Sequence, residues 1–90
     1  MSHFLHVYIE PKPGTTRRDV EATLNKGLDW FRYHKNVYIV YTVCDAQTWH
    51  NRLKTHVVPG GELFISELDI TKRSGFMVDE FWKWLWKPRK

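Results

Sequence analysis

Ninety residues with a formal charge of +4 make one domain and leave no room for a separate catalytic module. The chain is 42% hydrophobic and 16% aromatic, too apolar for a disordered segment, and its mild basicity permits contact with phosphate without requiring it. A single cysteine, Cys44, excludes an internal disulfide and a thiolate metal site, and no apolar run approaches the roughly 18–20 residues that span a bilayer. The N-terminus lacks a basic stretch leading into a long apolar run, so no signal peptide is read there, and a reduced cytoplasmic setting without a membrane is the expectation.

Phe4–Ile9 alternates, with Leu5, Val7 and Ile9 on one face and Phe4, His6 and Tyr8 on the other, which predicts a strand. Pro11, Pro13 and Gly14 stop it. Thr16-Arg17-Arg18-Asp19 matches a capping box, in which the hydroxyl takes an orphan N–H and the carboxylate reaches back. The helix that follows places Val20, Leu24 and Leu28 in one stripe, with Gly27 at its end. Trp30–Tyr33 and Val37–Cys44, separated by His34-Lys35-Asn36, read as a hairpin. Cys44 reads as a small core hydrophobe.

Asp45 is a good N-cap for a second helix with the stripe Ala46, Trp49, Leu53 and Val57. Pro59-Gly60-Gly61 turns the chain into a last core strand, Glu62–Ile70. After a polar connection, Val78–Lys87 forms a short helix whose face holds Val78, Phe81, Trp82 and Leu85. Trp84 and Trp86 lie off that face, and the tail from Lys87 to Lys90 reads as frayed. The order β-α-β-β-α-β predicts an α+β, ferredoxin-like sheet with helices on one face, a core of residues 4–70 and a C-terminal segment of residues 75–87.

In the strand after the hairpin both faces are apolar: Val37, Ile39, Tyr41 and Val43 against Tyr38, Val40, Thr42 and Cys44. A sheet with helices on one side only shows one polar face, so something covers the second. The candidates are the C-terminal helix folding back and an identical sheet from another subunit. The expectation is a homodimer that buries Tyr8, Tyr38 and Val40, with Trp82 and Trp86 helping to close it.

The aromatic hairpin (Trp30, Tyr33, Tyr38), Thr42, the Ala46-x-x-Trp49-x-x-x-Leu53-Lys54 helix and the Leu63–Leu68 strand together resemble the small SinR-like proteins. These are relatives of the CRISPR-associated adaptation protein and of the VapD toxins. Gly75-Phe76-Met77 and then Phe81-Trp82-x-Trp84-Leu85 resemble that group's closing segment, and the likeness covers most of residues 4–85. The resemblance implies a ferredoxin-like protomer and a homodimer. In nuclease members it also implies an Asp ending the first strand of each subunit, two of which hold a divalent metal across the two-fold axis. Here that strand ends Tyr8-Ile9-Glu10, with Ile9 at the place of the acid. Isoleucine neither ligates a metal nor takes a proton, and Glu10, one residue later, points to the opposite face. The expected catalytic set is therefore empty apart from Glu10, and no cofactor is expected unless Glu10 serves with Mg or Mn.

His3, His6, His34, His50 and His56 show no zinc spacing, and Gly60-Gly61 lacks the context of a phosphate loop. Glu67, an acid inside an apolar strand, needs a partner, and Arg32 on the hairpin is the candidate. Arg17, Arg18, Arg32, Lys35, Lys72 and Arg73 are the candidate nucleic-acid contacts. Doubled in a dimer they could line a track for duplex phosphates, while each taken singly reads first as a solvated surface charge. Two functions are expected from these readings. One is a non-catalytic homodimeric module that binds a protein partner or nucleic acid without sequence reading. The other is a metal-dependent nuclease using Glu10.

Overall fold

The computed structural model describes residues 1–89. Four strands and three α-helices follow in the order β1 (His3–Glu10), α1 (Arg17–Leu24), β2 (Asp29–His34), β3 (Val37–Thr42), α2 (Ala46–Leu53), β4 (Glu62–Leu68) and α3 (Asp79–Trp86), with one 3-10 turn (Lys54–His56) after α2. The fold is α+β, built on one antiparallel sheet of strand order β2-β3-β1-β4. The connection through α1 therefore crosses β3, and the connection through α2 crosses β1. No helix is long and apolar enough to cross a membrane among the described residues.

Both crossover helices start where the side chains dictate. Thr16 Oγ1 accepts the Asp19 N–H at 3.2 Å while the Asp19 carboxylate accepts the Thr16 N–H at 3.0 Å, the reciprocal box expected from the sequence. Asp45 caps α2 by accepting both the amide and the hydroxyl of Thr48, which holds its carboxyl below the usual range. Helix α1 is shorter than the periodicity suggests. It ends at Leu24, and Leu28 lies outside it, exposed, with its amide bonded to the Tyr41 carbonyl. Gly27 has a tertiary role instead of capping the helix: a Cβ there would meet the Trp49 ring at 3.1 Å and Val40 at 3.3 Å. The chain passes so close over a buried indole that a larger residue would need the ring or Val40 to shift by a few tenths of an ångström.

The core lies between the sheet and α1/α2. Leu5, Val7 and Ile9 of β1, Tyr38 and Val40 of β3, Val20 and Leu24 of α1, Trp49 and Leu53 of α2, and Val57 close one buried cluster. Cys44 packs against its edge as a partly buried apolar side chain. Each fully buried aliphatic side chain contributes about 1.5–3 kcal/mol of transfer free energy. Trp49 donates its indole N–H to Thr42 Oγ1 at 3.0 Å, so the one polar atom of the largest core residue is satisfied inside the core.

Helix α3 covers part of the second sheet face. Ile39, Phe81 and Leu85 form a second buried cluster, with Phe4, Phe31, Tyr33, Leu68, Ile70, Trp82 and Trp84 packed around it. Val78, expected on the buried face, is instead the exposed N-cap of α3. Trp84 is not an outward residue. Its ring tilts against Phe31 at 5.6 Å and meets Phe4 edge-on at 6.0 Å. The tail is not frayed over Lys87–Arg89 either. Arg89 sits under three rings (Phe4, Tyr41 and Trp84) and donates to the Trp84 carbonyl at 2.9 Å, the Lys87 carbonyl at 3.1 Å and Asp29 at 3.4 Å. Lys90 lies outside the described residues.

Candidate functional site

At the end of the sheet where β1 finishes, the hairpin turn and the start of α1 come together. The Ile9 amide donates to the Asn36 carbonyl at 2.9 Å, tying the turn to β1, and the capping box sets the direction of Arg17 and Arg18 on the neighbouring helix. Arg17 pairs with Glu21 at 3.6 Å, and Glu21 accepts the Tyr38 hydroxyl at 3.0 Å. Arg32 stands opposite Tyr38 in the β2–β3 register, on the same sheet face, and donates to the Lys35 carbonyl at 3.3 Å. Burial, followed by the hydrogen bond to Glu21 and that carboxylate's charge, pushes the Tyr38 hydroxyl pKa well up, with Arg32 and Arg17 pulling the other way. Arg17 and Arg32 thus flank a buried tyrosine hydrogen-bonded to a partly exposed glutamate. Arg18 and Lys35 are exposed beside them.

Lys72 and Arg73 do not join this group. They follow β4 and line the cavity against α3, on the opposite face of the sheet. The sheet therefore separates Arg17 and Arg32 from Lys72 and Arg73, and the six basic residues do not form a single track across one protomer. Nor does Arg32 serve Glu67. The strand order puts β2 and β4 at opposite edges, with β3 and β1 between them, and Glu67 is exposed at its own edge.

The expected dimer face is divided by the strand register. Val7 stands opposite Tyr38 and Leu5 opposite Val40, so Tyr38 and Val40 face α1 and α2, where they are 1% and 0% exposed. Tyr8 pairs with Val37 and Phe64 on the other face. One surface cannot hold Tyr8 together with Tyr38 and Val40, because the latter two are core residues of the protomer. Trp82 is half-buried against Phe81, their rings edge-on at 5.3 Å, while Trp86 is exposed and stacks only with Arg73, whose guanidinium lies 4.9 Å from its ring. One exposed aromatic residue was passed over in the sequence. Phe64 is 62% exposed in the middle of β4, next to half-exposed Tyr8, on the part of the second face that α3 leaves open. The alternation of Leu63 and Ile65 against Phe64 was the signal available for it.

Ile9 is locked in the core at 1% exposure, and Glu10 emerges on the opposite, open face. Asn36 Nδ2 donates to Glu10 Oε1 at 2.6 Å. Glu10 stands directly across from Glu62, which accepts the Tyr8 hydroxyl at 3.0 Å, a bond that raises the Tyr8 pKa. Two like charges thus face each other on adjacent strands, each with a neutral donor beside it. The histidines are dispersed. His3 meets the Cys44 carbonyl at 2.8 Å, His6 meets Tyr33 Oη at 3.0 Å, His50 meets Gln47 Nε2 at 3.3 Å and His56 meets Thr23 Oγ1 at 2.8 Å. Among the described residues no three His, Cys, Asp or Glu side chains gather into a metal-holding group. Comparison of the chain with protein-family models, with curated proteins and with solved structures finds no match.

Proposed function

We propose that the chain is a non-catalytic, homodimeric binding module on a ferredoxin-like scaffold, holding nucleic-acid phosphates without reading sequence. The observation that carries the reading is the placement of Arg17 and Arg32 about the Tyr38–Glu21 pair, with Arg18 exposed next to Arg17 in the chain and Lys35 exposed in the hairpin turn. Arg17 and Arg18 open a helix against its dipole, an unfavourable placement that an anionic partner would offset. The ferredoxin-like reading is supported by the β-α-β-β-α-β order and by the strand order β2-β3-β1-β4. The homodimer rests on the open half of the second face, where Tyr8 and Phe64 offer an apolar patch.

The reading is tested by measuring affinity for a short DNA duplex across a salt series. The wild type is expected to bind with log K falling linearly in log salt, and each of the four positions changed to Gln to flatten the slope by about 0.9 per lost phosphate contact. Absence of binding at about 50 mM salt would refute the nucleic-acid reading and leave a protein partner.

One observation favours a second reading. The Glu10–Glu62 pair places two carboxylates side by side on the open face, where a divalent cation would relieve their repulsion. In that case duplex cleavage appears with magnesium or manganese and disappears in Glu10→Gln. Cleavage that persists in the variant, or that never appears with either metal, removes the nuclease reading.

A further inference from the structure

A second concave site lies between the sheet, α3 and the strap of residues 69–77 that joins them. It has a volume of about 360 Å³, at the lower end of the roughly 300–1,000 Å³ typical of small-molecule sites. Its floor is apolar, formed by Ile39, Leu68, Phe81 and Leu85. Its polar groups converge from two sides. His6 Nε2 and Tyr33 Oη lie 3.0 Å apart at the wall. A neutral imidazole has one N–H and the phenol one O–H, and their mutual bond consumes one hydrogen, so with Nε2–H donating to Tyr33 the phenol keeps its own hydrogen for a ligand. Burial pushes the Tyr33 pKa up, which keeps the phenol protonated and able to donate.

On the strap, Lys72 and Arg73 line the same cavity. Arg73 spends one N–H on the Ile70 carbonyl at 2.6 Å and lays its plane over Trp86, leaving further donors. Lys72 has no anionic partner among the described residues. The one carboxylate at the rim, Asp69, already accepts the amide and hydroxyl of Thr71, which hold its pKa down. Two cations against one engaged carboxylate give the rim a net positive charge over an apolar floor.

We propose that this cavity binds an amphipathic monoanion, a carboxylate carried on a short apolar body. The body fills the floor against Phe81 and Leu68, and the carboxylate meets Lys72 and Arg73 with the spare donor of the His6–Tyr33 pair. Charge complementarity selects this occupant over a neutral one. The site lies on the opposite sheet face from the Arg17–Arg32 cluster and does not depend on the nucleic-acid reading.

The test is a titration of the isotope-labelled chain with octanoate and with octanol, equal in chain length and different in charge, followed by amide chemical shifts. Octanoate is expected to shift residues 68–77 and to bind on the order of tenfold tighter than octanol, the advantage of a charge-assisted contact. In the double variant Lys72→Gln/Arg73→Gln, whose fold is verified by circular dichroism, that advantage vanishes while octanol binding remains. Equal affinity for the two probes overturns the proposal, as does a wild-type advantage that survives in the variant. The exposed Phe76 beside the cavity defines the competing occupant. Shifts of residues 68–77 that follow protein concentration, vanish in Phe76→Ser and ignore octanoate put a second copy there, and they also overturn it.

Discussion

Trp49→Ala will cost about 3–5 kcal/mol, the range for emptying a fully buried aromatic site. A domain of this size holds only about 5–15 kcal/mol in total, so a large share of the variant is expected to be unfolded at 37 °C. Three arrangements depend on the indole. It fills the space between α2 and β3 at 0% exposure, it donates to Thr42, and it supports the close passage of Gly27. The Arg52 guanidinium lies 4.8 Å from its ring with Nη1 buried and unbonded, so truncation also removes the ring this cation lies over. Trp49→Phe keeps most of the volume and loses the hydrogen bond, and about 1–2 kcal/mol is expected. Urea unfolding followed by far-ultraviolet circular dichroism measures both. A Trp49→Ala midpoint equal to that of the wild type would show that the indole is not the keystone of the core.

Arg89→Ala carries the second large effect, about 2–3 kcal/mol, confined to the docking of α3. The Arg89 side chain is only 10% exposed, although it stands near the chain end. Its bonds add a second donor to the Trp84 carbonyl and supply one to the Lys87 carbonyl at the helix C-terminus, and its guanidinium carbon lies 4.5–5.4 Å from three ring centroids. Lysine cannot reproduce a planar fork that bonds and stacks at once, so Arg89→Lys should rescue little. Hydrogen exchange reads the difference: amides of α3 lose protection while those of β1 and β3 keep theirs, since the main core lies on the other side of the sheet. Unchanged protection in α3 would dismiss the latch.

The same latch sets a pH dependence. Burial raises the Asp29 pKa, but the Trp84 indole N–H acting from beyond standard hydrogen-bond geometry, the Trp30 amide, Lys87 and Arg89 together outweigh it. The net result lies below the ordinary carboxylate range. A carboxylate with a depressed folded-state pKa stabilises fully above its unfolded value, and that contribution is lost as pH falls through the folded one. Docking of α3 should therefore hold at neutral pH and weaken below pH 4, by less in high salt because Asp29 is partly exposed. Near-ultraviolet circular dichroism of the Phe31, Phe81 and Trp84 cluster follows it.

Signals that act within a few residues are legible in the chain itself. Thr16 with Asp19, and Asp45 ahead of Ala46, mark both crossover helices because a cap is a local hydrogen bond. Alternation marks β1 and β3, the hairpin signal marks β2 and the Pro59-Gly60-Gly61 turn opens β4, and the apolar Ile9 beside the acidic Glu10 is visible without coordinates. The sequence also requires that both faces of β3 be covered. Which face meets which partner is not local. Each strand's alternation is known only up to a flip, and the β1–β3 register alone brings Tyr38 and Val40 into line with Val7 and Leu5. That pairing moves two expected interface residues into the core and leaves Tyr8 with Phe64 outside.

Distance along the chain hides the rest. Arg89 and Asp29 are joined across 60 positions, and His6 and Tyr33 across 27. Lys72 and Arg73 part from the other basic residues because β4 leads the chain to the far side of the sheet. Composition and period determined the elements, their order and the need for a second covering layer. Only the tertiary structure decided that α3 supplies much of that layer, which cations stand together and where the open surface lies. Those outcomes follow from pairing between distant segments, and no local pattern encodes it.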